Sequence, residues 1–340
     1  MVDRVTTELA SLRPDLFQNG RPHLVRHLSR HRSEIYVYSA KSDDHGEDAR
    51  LWVKIAREAD ESDRHYTFSP QKEFERIETV YSGVSSLDHE SRKLVIVPKP
   101  ICYLPETSAI VTEKVDGTQL VPVLVRGNIA HCFRLGIHRQ QELAYRTGKV
   151  LRLLHDLMDT GKTEPLDPQE RLRWFAVYRR EGLLDDPLLT RVEERMSAHL
   201  DEIGTTEFRV SRKHGDFQPT NLMIVGDLRI AVFDFWFSRP DVVLSDVCSF
   251  LMGLRSLCLR YPLPRRAAYH YRLEKEFLDG YFQDDPVPAT ALRCVALSWL
   301  LHQYDHAVKR RPGGVGRKWI DHCFKGMFRE LMDRDTAAGG

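Results

Sequence analysis

The stretch KHGDFQPTNLMIVGDLRIAVFDF, residues 213–235, decides how the chain is read. Three chemistry-bearing side chains, Asp216, Asn221 and Asp234, fall inside it with two apolar runs between the last two. LMIV, then Gly226-Asp227, then LRIAVF predicts a β-hairpin with a tight turn. Asn221 stands just before the first strand and Asp234 just after the second. Antiparallel pairing then predicts an amide oxygen and a carboxylate side by side. Asp216 lies five positions before Asn221, in a loop containing Pro219. Two neighbouring oxygen ligands on a short loop suit Mg²⁺, which fills its other positions with water and phosphate. A separate carboxylate nearby suits orienting a hydroxyl and accepting its proton. Together they predict phosphoryl transfer from a metal nucleotide.

The whole chain sets the bounds. Its 340 residues suffice for one large domain or two lobes with a sizeable core. Lys+Arg numbers 50 against 49 Asp+Glu, a formal charge of +1, so no global field argues for nucleic acid or membrane. Hydrophobic residues make up 42%, which fits a globular chain. The six cysteines (Cys102, Cys132, Cys248, Cys258, Cys294 and Cys323) form no C-x-x-C pair and several sit in apolar runs, which points to buried thiols in a reducing compartment. The opening MVDRVTTELASLRPDLF lacks the basic-then-apolar order of a signal peptide, and no apolar run approaches a membrane span. The expectation is a cytoplasmic enzyme.

SEIYVYSA and RLWVKIA predict strands, as do KLVIV and SAIVTEKV, with PKPICYLPET as a proline-rich connection between the latter two. SPQKEFERIETVYSGV predicts a helix capped by Ser69 with Pro70 at its first position. After Gly117 helical periodicity dominates, from RQQELAYRTGKVLRLLHDLMD to WIDHCFKGMFRELMD, and the quoted stretch is the one place where strands return. The expected fold is α+β and two-lobed, a β-rich lobe over 1–115 and a mainly helical one over 116–340.

HGDFQPTN followed by VFDF resembles the aminoglycoside phosphotransferase and choline kinase superfamily, small-molecule kinases of protein-kinase-like fold. The spacing D-x-x-x-x-N with a later D is also the protein-kinase pattern, while HGD in place of H-R-D points to the small-molecule branch. The resemblance implies ATP and Mg²⁺, with Asp216 as catalytic base and Asn221 and Asp234 as metal ligands. LWVKIA looks like the strand carrying the phosphate-binding lysine, Lys54, and EFERIETV like the helix carrying its partner. Glu73 is the candidate partner because Ile77, Val80 and Val84 follow it on the inward stripe, whereas Glu75 and Glu78 face elsewhere. IVTEKVDGTQL looks like the hinge whose backbone meets the adenine edge, here at Glu113 and Val115. Trp52 shares the strand face of Lys54, so the resemblance places its indole against the base. Asp246 in SDVCSFL matches an aspartate that braces the catalytic loop.

Departures and rivals bear on this. The first hairpin, HLSRHRSEIYVY, has no glycine, which leaves its phosphate contacts unassigned, and Asp234 is followed by FW where protein kinases have FG. HQYDH places His302 and His306 at zinc-compatible spacing with Asp305 between them, yet no third ligand is evident and an ordinary helical face is the simpler reading. YPLPRR and VKRRPGG are short basic runs that suit solvated surface. The acceptor is a hydroxyl of a small molecule. The candidates are a sugar, a glycan precursor, an amino alcohol or an antibiotic; residues 241–340 hold 15 Lys+Arg and 12 Asp+Glu, which favours a neutral or anionic acceptor, such as a sugar or glycan precursor, over a polycationic aminoglycoside. The rivals are a catalytically silent nucleotide-binding scaffold of this fold, against which the intact core positions speak, and a protein kinase, against which HGD and the missing glycine loop speak.

Overall fold

The structure is a computed structural model that describes residues 1–17, 22–29, 33–40, 49–56, 69–182, 186–235, 240–260, 266–309 and 314–333. The turn at 41–48, the tip of the first hairpin, Trp236 and most of the two basic runs lie outside the described residues.

In chain order the first elements are α1 (Val2–Leu12), β1 (His23–Ser29), β2 (Ser33–Ala40), β3 (Ala49–Ala56), α2 (Pro70–Ser85), α3 (His89–Arg92), β4 (Val95–Ile96), β5 (Pro100–Leu104) and β6 (Ala109–Glu113). Five of the strands form an antiparallel sheet in the order β1-β2-β3-β6-β5. Strand periodicity splits β3 cleanly. Leu51, Val53 and Ile55 are buried and pack with Val5 and Leu9 of α1, Tyr38 of β2 and Val111 of β6. Trp52 and Lys54 therefore occupy the opposite face. A buried carboxylate fastens α1: Glu8 accepts the N–H groups of Glu106 and Thr107 and the Thr107 hydroxyl. The α2 cap forms as its sequence predicts, with Ser69 Oγ accepting the Lys72 N–H and Pro70 in the first turn.

Two details correct the sequence expectation. PKPICYLPET is not merely a connection, since it holds β5, whose Cys102 pairs with Val111. Proline is tolerated there because β5 is an edge strand. KLVIV shrinks to the two residues of β4, which pair in parallel with a later strand.

The chain continues through β7 (Thr118–Gln119), α4 (Leu120–Cys132), α5 (His138–Leu157), β8 (Asp159–Pro165), α6 (Pro168–Leu172), α7 (Phe175–Glu181), α8 (Asp186–Ile203) and β9 (Glu207–Ser211). The predicted hairpin follows as β10 (Leu222–Val225) and β11 (Arg229–Val232). Gly226 and Leu228 in its loop both take positive φ, and the parallel partner of β4 is β11, with Ile230 opposite Val95. Last come β12 (Asp241–Val242), α9 (Leu244–Arg260), α10 (Arg266–Phe282), α11 (Ala289–Lys309) and α12 (Gly314–Asp333). The return of strands is not confined to the hairpin. β8, β9 and β12 make a small antiparallel sheet among the helices. β8 is polar and almost wholly exposed, and β9 and β12 are too short to show an apolar alternation, so no sequence pattern announces them.

By packing, the chain divides into two compact units, Met1–Gly117 with Met223–Phe235, and Thr118–Leu222 with Trp236–Gly340. The first unit is thus discontinuous and includes a segment that a single cut near residue 115 assigns to the second. Gly117 closes the first unit with no room to spare, because a Cβ there would sit 2.6 Å from the Ile224 carbonyl oxygen.

In the second unit α5 and α10 cross at their glycines. A Cβ on Gly148 would lie 2.1 Å from the Phe277 carbonyl oxygen, and one on Gly280 would lie 2.0 Å from that of Tyr145. The obstacle is backbone on both sides, so relief requires moving a helix. Gly280→Ala is expected to destabilise the protein by about 3 kcal/mol or more. Gly326→Ala on α12, where a Cβ meets nothing within 4 Å, should be neutral or stabilising. Thermal denaturation of the two variants checks the contrast.

Candidate active site

The first unit contributes a buried charge cluster. Lys54 Nζ donates to Glu73 Oε1 at 2.8 Å and to Asp234 Oδ1 at 2.7 Å. Each group arrives on a different element: Lys54 on the face of β3 away from the α1 core, Glu73 in the first turn of α2, and Asp234 just past β11. Of the three glutamates of α2, Glu73 is buried and Glu75 and Glu78 are exposed. Burial disfavours the Lys54 ammonium, but the two carboxylates outweigh it and hold its pKa well above the ordinary lysine value. Burial holds the Glu73 carboxyl above the usual carboxylate range, and the Lys54 charge offsets only part of that rise. Glu73 Oε2 is buried and accepts no hydrogen bond among the described residues. Asp234 adopts φ 59°, a left-handed conformation that aspartate tolerates better than most residues.

The second unit contributes the loop between β9 and β10. Its organiser is Asp246 in the first turn of α9, almost fully buried. Asp246 accepts the backbone N–H of His214 at 2.5 Å, that of Gly215 at 2.9 Å and His155 Nε2 at 3.2 Å. Gly215 takes φ +86°, which a side chain would resist. His155 Nδ1 is in turn bonded to the Tyr281 hydroxyl at 2.8 Å. Burial raises Asp246, but the bond from His155 and the nearby His155, His214 and Lys213 charges outweigh it, so its pKa falls below the usual carboxylate range. The Asp216 N–H reaches His214 Nδ1 at 3.3 Å. Asn221 Nδ2 donates to the Asp216 carbonyl oxygen at 2.9 Å and to Asp216 Oδ2 at 2.8 Å. Gln218 Nε2 donates to Asp216 Oδ1 at 2.6 Å. With its amide nitrogen so engaged, Asn221 keeps Oδ1 as its acceptor atom.

Lys54, Glu73 and Asp234 are thus brought together in the first unit, and Asp216 and Asn221 in the second. Trp52 is half-buried on the Lys54 face, with its ring 5.5 Å from that of Phe233 and its Nε1 buried without a hydrogen-bond partner among the described residues. Glu113 is exposed and Val115 half-buried. The Glu113 N–H bonds to Lys99 O at 2.9 Å and the Lys114 N–H to Arg50 O at 2.7 Å, after which the strand leaves the ladder. His302 packs edge-on against Trp174 and beside His306, while Asp305 pairs with Lys309. Among the described residues no group of three His, Cys, Asp or Glu side chains could hold a metal. Sequence reasoning missed Gln218, His155 and Tyr281. His155 carried one signal, a polar residue on the buried stripe of α5 beside Leu151 and Leu154. Lys213 and Asp241, paired at 2.6 Å beside this loop, carried none.

A family model described as the phosphotransferase enzyme family matches residues 53–284. The chain belongs to that family. Its fold is that of the protein-kinase-like small-molecule kinases, as three solved structures illustrate. A glucosamine kinase in complex with glucosamine, ADP and inorganic phosphate superposes with a TM-score of 0.61 at 16% identity, covering 93% of this chain and 96% of its own. An amicoumacin kinase in complex with AMP-PNP, Ca²⁺ and its antibiotic gives 0.52 at 16% identity, covering 98% and 96%. A thermostable aminoglycoside phosphotransferase mutant in ternary complex with AMP-PNP and hygromycin B gives 0.52 at 15%, covering 96% and 97%. At these identities the likeness is one of fold. No curated protein sequence matches the chain. Among the described residues, no helix of this phosphotransferase is long and apolar enough to cross a membrane.

The folded pKa of Asp246 lies below its unfolded value. Its stabilisation is therefore complete above the ordinary carboxylate range and is lost as pH falls through the folded value. Asp246→Asn keeps the shape but removes the charge and one acceptor oxygen. It is expected to cost about 2–4 kcal/mol at neutral pH and to flatten the acid limb of the stability curve. Urea titrations of both proteins at neutral and acid pH measure this.

Proposed function

We propose that this chain is an ATP- and Mg²⁺-dependent phosphotransferase that phosphorylates a hydroxyl group of a small molecule in the cytoplasm. The observation that carries the proposal is the Lys54 ammonium held between Glu73 and Asp234. A lysine whose pKa two carboxylates hold above the ordinary value carries a positive charge suited to polyphosphate. The donor set fits the metal: Asn221 offers an amide oxygen and Asp234 a carboxylate, both hard oxygen ligands. When bound, Mg²⁺ supplies charge neutralisation to the phosphate oxygens.

In this proposal Lys54 meets the α- and β-phosphates and Glu73 fixes its position. Trp52 lies on the adenine face, and the backbone at Glu113 and Val115 meets the adenine edge. Asn221 and Asp234 hold the metal. Asp216 orients the acceptor hydroxyl and takes its proton as the acceptor oxygen bonds to the γ-phosphorus. The γ-phosphorus–oxygen bond to the β-phosphate breaks in the same step, and its electron pair leaves with ADP. Gln218 and Asn221 donate to opposite oxygens of Asp216, which fixes the plane of the carboxylate. Glucosamine and hygromycin B, bound in two of the similar structures, are hydroxyl-bearing small molecules and support that class here.

Asp216→Asn is expected to lower kcat by about 10²–10⁴-fold while leaving ATP affinity nearly unchanged, because its carboxylate acts on the acceptor. Coupled ATP-consumption assays over sugars, amino alcohols, aminoglycosides and nucleosides, with calorimetry on MgATP, check both halves. Near-normal turnover in the variant would remove Asp216 from the chemistry, and wild-type protein that binds no MgATP would end the proposal.

Trp52→Ala should weaken ATP by about 1–3 kcal/mol if the indole covers the base. It should cost less stability than a fully buried tryptophan, whose truncation costs about 3–5 kcal/mol. Quenching of Trp52 fluorescence on ATP titration is the companion measurement. Unchanged affinity with large destabilisation would make Trp52 a packing residue only.

A further inference from the structure

Helices α4, α9 and α10 enclose a narrow slot that the proposed chemistry leaves unused. Its walls are mainly hydrocarbon, from Leu124, Val125, Leu254, Leu257 and Leu273, with Tyr269 and His270 also lining it, and its narrow part, about 10 Å³, has room for one water-sized group. Asn128 also lines it. Asn128 is 3% exposed, and its Oδ1 is buried with no hydrogen-bond partner among the described residues. An orphaned amide oxygen in an apolar wall costs stability unless something donates to it. Outside the slot the apolar surface continues. Val125, Ile129 and Phe133 recur at four-residue spacing along α4, and Ile129 and Phe133 are 44% and 74% exposed. The slot also adjoins the loop that carries Asp216. Gly253, next to Leu254, lies so close to Pro219 that a Cβ would sit 2.6 Å from its ring.

The charges around the slot are already matched. Arg255 donates to both oxygens of Glu274 at 2.5 and 3.1 Å, and both residues are buried. Glu330 accepts from His270 at 3.3 Å and from Tyr271 at 2.5 Å. Burial alone would raise Glu330, but those two bonds and the Arg255 charge bring its pKa to about 2. The nearby carboxylates are therefore committed to protein partners, and the slot is a poor seat for a polycation.

We propose that the slot and the α4 stripe form an acceptor subsite for an alcohol with an apolar body, with Asn128 as its specificity-determining residue. The acceptor puts a second hydroxyl into the slot, donating to Asn128 Oδ1, and lays its hydrocarbon along Val125, Ile129 and Phe133. The inference rests on the phosphotransferase proposal for its reacting hydroxyl, but not for its binding.

Cyclohexanedimethanol is the probe, since it has two hydroxyls on a hydrocarbon ring. Its controls are methylcyclohexylmethanol, which lacks the second hydroxyl, sorbitol, which lacks the apolar body, and a polycationic aminoglycoside. Calorimetry without nucleotide is expected to show saturable binding of the probe, about tenfold tighter than methylcyclohexylmethanol, with Asn128→Leu erasing that ratio. The paired surface changes Ile129→Ser and Phe133→Ser, which leave the core untouched, should weaken the probe about tenfold. With MgATP, kcat/KM should rank the probe above sorbitol and the aminoglycoside. Absent or variant-insensitive binding of the probe, or preference for sorbitol or the aminoglycoside, overturns the inference. A chain that binds the probe but not MgATP would instead overturn the phosphotransferase proposal and leave the subsite standing.

Discussion

The first unit turns on one constraint: the Glu73 carboxylate is out of water and must have a positive partner beside it. Lys54 is that partner, and Lys54 is shared with Asp234. Three elements far apart in sequence, β3, α2 and the end of β11, are thereby tied at one point. A buried pair of this kind is weak evidence for stability, since well-packed hydrocarbon of the same volume is often at least as good. Glu73 even leaves one oxygen without a hydrogen bond among the described residues. So costly an arrangement holds a positive charge in a set place, which supports the phosphate-binding role proposed for Lys54.

The second unit uses the opposite arrangement. Asp246 is equally buried but is satisfied by two backbone N–H groups and a histidine, so its charge is absorbed by the protein. The consequence is local rigidity. The loop before β10 has little secondary structure of its own, yet the backbone at His214 and Gly215 is fixed by a side chain from a helix that begins some thirty residues later. One carboxylate braces and is spent, while the other, Asp216, is aligned by Gln218 and Asn221.

What the sequence made legible follows from how local each signal is. The helices of the second unit and the Ser69 cap were readable because periodicity and capping are written within a few residues. Glu73 was separable from Glu75 and Glu78 because only one of the three shares the stripe of Ile77, Val80 and Val84. β5 was not legible, because Pro100 reads as a breaker unless the strand is known to lie on an edge. β8 and β9 were hidden for a different reason, since β8 is exposed and polar and β9 buries only its last two residues, Val210 and Ser211, too few to set a pattern. The His155–Asp246 bond joins residues 91 positions apart, and no local rule announces such a pair.

The Asp246 anchor depends on glycine in two different ways. At Gly215 the backbone takes φ +86° so that consecutive N–H groups can turn toward Asp246, and a β-carbon would oppose that turn. At Gly148 and Gly280 the demand is spatial, because the helices meet backbone to backbone. That crossing brings α10 close enough to α5 for the Tyr281 hydroxyl to reach His155 Nδ1. With its Nδ1 engaged, His155 presents Nε2 to Asp246. The chain of dependence therefore runs from two missing side chains, through a helix crossing and an oriented imidazole, to the carboxylate that holds the loop carrying Asp216.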